Sequence, residues 1–255
     1  MERKTEKILG YDVDLMTFED AISYTSDNLC NNKGMHIITI NPEIIEQARK
    51  SFEYNKIVKT ADLVIPDGVG IKIALKLKGI EQEQIPGIDF AKWILKNCQI
   101  LGKNVALIGS TEKVIKRTED LLSAEYRELK IVYTHNGFFP KHKEDEIVKN
   151  LTGIEPDVVL VALGAPKQDY FIRKCIEKHP NAIYIGVGGA FDVWAGNVKR
   201  APEFFRVVGL EWLYRTIKQP QRFKRIYKTL PIFLIKVIIE AVNYRLDMRS
   251  KGKND

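Results

Sequence analysis

The sequence predicts an α/β protein: a Rossmann-like parallel sheet with helices on both faces, followed by a C-terminal all-helical basic appendage. Three observations lead there. Short apolar runs alternate with longer helix-period segments; the runs are near-continuous in Val, Ile and Leu; and 255 residues suffice to bury a full core. Continuous runs mark strands covered on both faces, where neither side of the sheet meets water. In chain order they are HIITIN (36–41), DLVIP (62–66), NVALIGS (104–110), IVYTHN (131–136), DVVLVALG (157–164) and AIYIGVGG (182–189). Ahead of them, Thr17-Phe18-Glu19-Asp20 has the form of a capped helix start. From Pro202 the pattern is helical only, with Pro220 separating two stretches, so a catalytic domain over 1–199 and an appendage over 200–255 are expected.

Charge divides the chain in the same place. From Lys199 onward 14 Lys/Arg face 5 Asp/Glu, whereas the first 198 residues carry 26 against 28. A near-neutral body with a basic tail points to an anionic partner for the tail. The three cysteines, Cys30, Cys98 and Cys175, are widely spaced with no CxxC, which predicts reduced, buried thiols rather than disulfides or zinc ligands. The N-terminus, MERKTEKILGYDVD, has no apolar stretch of signal-peptide length, so a cytoplasmic protein is expected.

In a parallel sheet ligands gather at the carboxyl ends of the strands. The residues ending the runs are Asn41, Asp67, Gly109-Ser110, Asn136-Gly137, Gly164 to Gln168 and Gly188 to Asp192. Small residues, amides and free backbone N–H groups at helix starts suit phosphate. In LVIPDGVG, Asp67 is open to four roles: base, metal ligand, ribose clamp or turn residue. In VALGAPKQDYF, Gly164 lets a ligand approach the backbone while Lys167 and Gln168 add a charge and an amide; in GVGGAFDVWAG, Gly188 and Gly189 precede Asp192, which suits a ribose or caps a helix.

Several chemistries lack their motifs. There is no GxxxxGK[ST], no GxSxG and no HExxH, and His36, His135, His142 and His179 are scattered away from any ligand spacing, so no metal and no cofactor are expected. The DxD at Asp12-Val13-Asp14 precedes the first core strand, and an edge strand accounts for it. A nicotinamide or flavin oxidoreductase would need a full G-x-G-x-x-G after the first strand, which is absent. No recognised nucleic-acid motif supports a nucleic-acid partner; a basic membrane-associated scaffold is the non-enzyme alternative.

Seven blocks, TINPE (39–43), LVIPDGVG (63–70), IPGID (85–89), LVALGAPKQ (160–168), GVGGAFDVWAG (186–196), RAPEFFR (200–206) and LEWLYRTIKQPQR (210–222), occur in register with the WecG/TagA/CpsF glycosyltransferases, glycosyltransferase family 26, which the sequence resembles over about residues 8 to 228. The resemblance implies a metal-independent, inverting transferase that moves a sugar from a UDP donor to undecaprenyl-diphosphate-linked N-acetylglucosamine at the inner membrane face. The best-known members transfer N-acetylmannosamine to begin the linkage unit of wall teichoic acid; its uronic acid and glucose-type donors are the alternatives. By motif, Asp67 is the implied general base, with Thr39, Asn41 and Gln168 around the reacting centre. Gly109, Gly164, Lys167, Gly188, Gly189 and Asp192, read from their places at the strand ends, are the expected donor-binding residues, and by motif Arg215, Arg222 and Arg225 match tail arginines that close over the diphosphate. The chain departs from the pattern at Gln84, where many relatives carry Arg, and at Asp169, where Glu is common.

LPIFLIKVIIEAVNYRL (230–246) is too short and too charged to span a bilayer. Lys236, Glu240, Asn243 and Asp247 form one polar strip on a helical wheel, and Arg222, Lys224, Arg225 and Lys228 precede it. A helix lying in the headgroup layer of an anionic membrane is expected, making the protein peripheral; packing on its own core or in a homo-oligomer interface is the alternative.

Overall fold

The computed structural model describes residues 3–202, 205, 214 and 220–251, with side chains of the final helix described over 229–244. An antiparallel hairpin opens the chain, β1 (Thr5–Ile8) and β2 (Tyr11–Asp14), turning through Leu9 and Gly10, both at positive φ as a two-residue hairpin turn requires. Helix α1 (Phe18–Cys30) then starts at Thr17, whose hydroxyl accepts from the Asp20 amide while the Asp20 carboxylate accepts from the Thr17 amide.

All six apolar runs form strands: β3 (Met35–Ile40), β4 (Leu63–Pro66), β5 (Asn104–Gly109), β6 (Lys130–His135), β7 (Val158–Ala162) and β8 (Ile183–Gly186). They make one parallel sheet in the order β4-β3-β8-β7-β5-β6. Between them lie α2 (Pro42–Ala48), α3 (Phe52–Lys59), α4 (Val69–Leu77), α5 (Gly87–Leu101), α6 (Glu112–Glu125), α7 (Glu144–Gly153) and α8 (Lys167–Lys178); α9 (Ala190–Trp194) follows β8. Strand alternation sends Ile37 to the face covered by α1, α5, α6 and α9, and Ile38 and Ile40 to the face covered by α2, α3 and α4. Further along that second face, α7 and α8 cover β5, β7 and β8. Both faces are apolar over β3, β4, β5, β7 and β8, hence their continuous runs, whereas β6 at the sheet edge has no fully buried position, with Val132 exposed.

The last helix, α10 (Pro220–Lys251), lies against α2 and α4. Phe233 and Val237 are buried there among Ile44, Ile71 and Leu75, and Ala241 one turn further on is buried as well. The Lys236 ammonium reaches Glu46 Oε2 at 2.6 Å, and both Glu240 carboxylate oxygens accept from the Leu9 amide, at 2.9 and 3.1 Å. Two members of the predicted polar strip therefore hold the helix to the body. Turned about half a circle from the buried stripe, Ile232, Ile235, Ile239 and Val242 are exposed. Among the described residues no helix is long and apolar enough to cross a membrane.

The cysteines differ from the expectation in one case. Cys98 and Cys175 are buried, but Cys30 is exposed, because α1 buries Ala21, Thr25, Asn28 and Leu29 and Cys30 falls off that face.

Candidate active site

A parallel sheet places every strand's carboxyl end at one edge, so the predicted residues converge by topology. Ile40 of β3 and Pro66 of β4 are partners in register, and Asn41 and Asp67 follow directly on that pair. The Asp67 amide donates to the Ile40 carbonyl at 2.9 Å, fixing the two strand ends together. Asn41 caps α2 by accepting the Ile44 amide at 3.0 Å. Asp67 leads into α4 through Gly68, whose φ of +83° a side chain rarely adopts, and Gly70, where a Cβ would lie 2.4 Å from Pro42 Cγ. The glycines thus let the start of α4 abut the start of α2. Thr39 is buried beneath the start of α5, where a Cβ on Gly87 would come within 2.7 Å of its Cγ2. Its position under α5 makes it a support for this corner.

Gln168, buried in the first turn of α8, crosses from the end of β7 to the end of β8. Its Oε1 accepts the Gly188 amide at 3.1 Å, and its amide nitrogen lies so close over Gly186 that a Cβ there would be 2.2 Å away. Gly164 at φ +74° makes the turn before Ala165 and Pro166, and Lys167 is exposed at the helix start. Gly188, at φ +52°, and Gly189 lead into α9.

Asp192 is not the cap of α9, which is Gly189; its carboxylate instead accepts from Ser110 Oγ at 3.2 Å. Ser110 follows Gly109, which packs on Ala162 so tightly that a Cβ would lie 2.4 Å from the Ala162 carbonyl oxygen. The Ser110–Asp192 pair joins the ends of β5 and β8; in the sequence Ser110 stands out only as the residue immediately after a strand-ending glycine. Asp67 and Ser110 are separated by four steps along the sheet, about 19 Å at the usual strand spacing of about 4.8 Å. Gln168 and the Gly188 amide lie between them.

Beneath α8, three buried groups form a second, unforeseen cluster. Tyr54 donates to Asp169 Oδ2 at 2.7 Å, and His36 Nε2 lies 3.7 Å from Asp169 Oδ1. Burial, reinforced by the Asp169 charge, raises the Tyr54 pKa, so the phenol stays a donor. Asp169 thus ties the first turn of α8, next to Gln168, to α3 and β3. Arg200 of the RAPEFFR block pairs with Asp89 of the IPGID block.

The DxD residues are engaged elsewhere: Asp14 is buried and pairs with Arg3 at 2.7 Å while accepting the Val64 amide, and Asp12 pairs with Lys7 at 2.8 Å. Among the described residues, no group of three or more His, Cys, Asp or Glu is placed to hold a metal ion. Arg215 and the side chains of Arg222 and Arg225 lie outside the described residues.

The model of the glycosyl transferase WecG/TagA/CpsF family matches residues 6–247. Proteins named N-acetylglucosaminyldiphosphoundecaprenol N-acetyl-beta-D-mannosaminyltransferase are similar from Bacillus spizizenii (35% identity, covering 82% of this chain and 81% of that one) and Bacillus subtilis (35%, 87% and 86%). One of the same name from Staphylococcus aureus strain MW2 is 31% identical over 90% of this chain and 91% of its own. With the matched span running from the hairpin through the sheet into α10, the chain belongs to the WecG/TagA/CpsF family of glycosyl transferases.

Proposed function

We propose that the protein transfers N-acetylmannosamine from UDP-N-acetylmannosamine to undecaprenyl-diphosphate-linked N-acetylglucosamine, with inversion and without a metal ion. The observation that carries this reading is the placement of Asp67 beside Asn41 at the registered ends of β3 and β4, with Gln168 locked across the neighbouring strand ends. The names of the relatives supply the acceptor and the sugar.

In this reading Asp67 takes the proton of the acceptor hydroxyl as its oxygen attacks C1 of the donor sugar. The C1–O bond to UDP breaks on the opposite side, its electron pair going to the diphosphate. The donor lies along the sheet edge, nucleoside toward Ser110 and Asp192, diphosphate toward Gly188 and Gly189, hexose toward Asn41 and Asp67. Gly109, Gly164 and Gly189 keep the edge uncrowded, and Lys167 contributes positive charge. Arg215, Arg222 and Arg225 stabilise the leaving diphosphate, for which the planar, permanently charged guanidinium is suited. The engagement of Asp12 and Asp14 with Lys7 and Arg3 supports a route without a DxD-bound ion.

The acceptor is membrane-linked, and the exposed stripe of α10 is apolar while the flanking sequence is basic. We infer that α10 rests in the inner-face headgroup layer with its outer stripe toward the lipid.

The test is a panel of UDP-sugars with a short-chain polyprenyl-diphosphate-GlcNAc acceptor, with and without EDTA. EDTA-resistant transfer from UDP-N-acetylmannosamine is expected. Faster transfer from the uronic acid or a glucose-type donor would reassign the sugar, and loss of transfer with EDTA would overturn the metal-free route.

A further inference from the structure

A groove of about 460 Å³ lies beside the hairpin tip, lined by Arg49, Lys50, Lys59, Phe52 and neighbouring residues at the ends of α2 and α3. Three cations line it and no carboxylate does. Arg49 donates one guanidinium N–H to the Leu9 carbonyl at 3.2 Å, and the Lys59 ammonium sits 5.8 Å over the Tyr11 ring, so neither charge is neutralised by these contacts. Arg49 also lines a second groove, of about 490 Å³, whose far wall is α10 with Lys236, Ile239 and Tyr244; Glu240, which also lines it, is engaged by the Leu9 amide and Lys78, leaving the groove net basic. The basic groove therefore continues onto the edge of the exposed stripe of Ile232, Ile235, Ile239 and Val242. On its other rim Phe52 is 85% exposed.

A small soluble anion has no use for apolar surface on both sides of its site. A phosphate carried on an amphiphile does, since its headgroup seeks the cations while its chains lie against the aliphatic stripe. We propose that Arg49, Lys50 and Lys59 form a headgroup site for an anionic phospholipid, which orients the body on the membrane in addition to the contact made by α10. The proposal rests on the membrane reading of α10 given above, and extends it to residues of the catalytic body.

The test is sedimentation with phosphatidylcholine vesicles and with vesicles containing phosphatidylglycerol, using the full chain. Wild type is expected to bind the phosphatidylglycerol vesicles about tenfold or more tightly. The Lys50→Glu/Lys59→Glu variant should lose most of that preference, the basic flank of α10 keeping the remainder, and should keep its phosphatidylcholine binding. The Lys96→Glu/Lys116→Glu variant, an equal charge change on α5 and α6 across the sheet, should keep the preference; equal loss in both variants would reduce the effect to net charge and overturn the site. Unchanged preference in Lys50→Glu/Lys59→Glu overturns the site while leaving α10 on the membrane. No vesicle binding by wild type, or a dimer that persists with vesicles and is lost on Ile235→Glu/Ile239→Glu, overturns both. Release from phosphatidylglycerol vesicles by low-millimolar inorganic phosphate at constant ionic strength would assign the groove to a soluble anion instead.

Discussion

Gln168 Oε1 holds the Gly188 amide at 3.1 Å while its other end lies over Gly186 with no room for a methyl group between them. The side chain thus bridges two strand ends, and Gly186 sets the space it occupies. Gly186→Ala should fold, because the atoms met belong to a side chain and not to backbone, but should displace Gln168. Its loss of turnover should match that of Gln168→Ala, and the double variant should be no worse than either, as expected for residues acting as one unit. Additive losses in steady-state assays would break this link.

Asp67→Asn keeps the size of the side chain and removes its basicity. The variant should retain the wild-type thermal midpoint and lose about 10² to 10⁴ in kcat, the usual contribution of a general base. Unchanged turnover would remove Asp67 from the proton transfer.

Ser110 and Asp192 sit at the far end of the edge from Asp67, where the proposed donor pose puts the nucleoside. Asp192→Asn and Ser110→Ala should therefore raise KM for the UDP-sugar several-fold and leave KM for the acceptor unchanged. A fall confined to kcat would put the pair at the reacting centre instead.

Removing the tail is a poor probe of its arginines. Phe233 and Val237 are fully buried against α2 and α4, and burial of side chains of this size contributes about 1.5–3 kcal/mol each. Arg215→Ala, Arg222→Ala and Arg225→Ala in the full chain leave that packing intact, and each should lower transfer while the circular dichroism spectrum is preserved.

Tyr54→Phe removes the hydroxyl donor of a buried carboxylate, Asp169. Leaving such a group short of a partner costs about 1–3 kcal/mol, readable as a lower urea midpoint. An unchanged midpoint would mean that the cluster does not stabilise the first turn of α8.

Burial pushes the Cys98 and Cys175 thiols up to about 12 from an ordinary 9.0. Above pH 9 the unfolded chain releases thiol protons that the folded chain retains, so stability should fall as pH rises from 9 toward 12. Below pH 9 iodoacetamide should label Cys30 alone in the native protein, and labelling at all three sites should require denaturant.

The sequence determined the strands, their parallel character and the edge at which chemistry would gather. Those properties are local: a strand covered on both faces must be apolar at every position, and a turn that starts a helix needs a small or capping residue. Asn41, Asp67, Gln168 and Asp192 were legible for that reason, each standing within a few residues of the end of an apolar run. The tertiary structure decided what the strand order decides: that Asn41 meets Asp67, that Gln168 reaches Gly188, and that the Ser110 hydroxyl donates to the Asp192 carboxylate. It also decided the two sides of α10, since a wheel that is apolar nearly all round does not say which stripe meets the body. The positions of Glu46, Lys78 and the Leu9 amide, with the apolar faces of α2 and α4, select the side on which Lys236 and Glu240 are held.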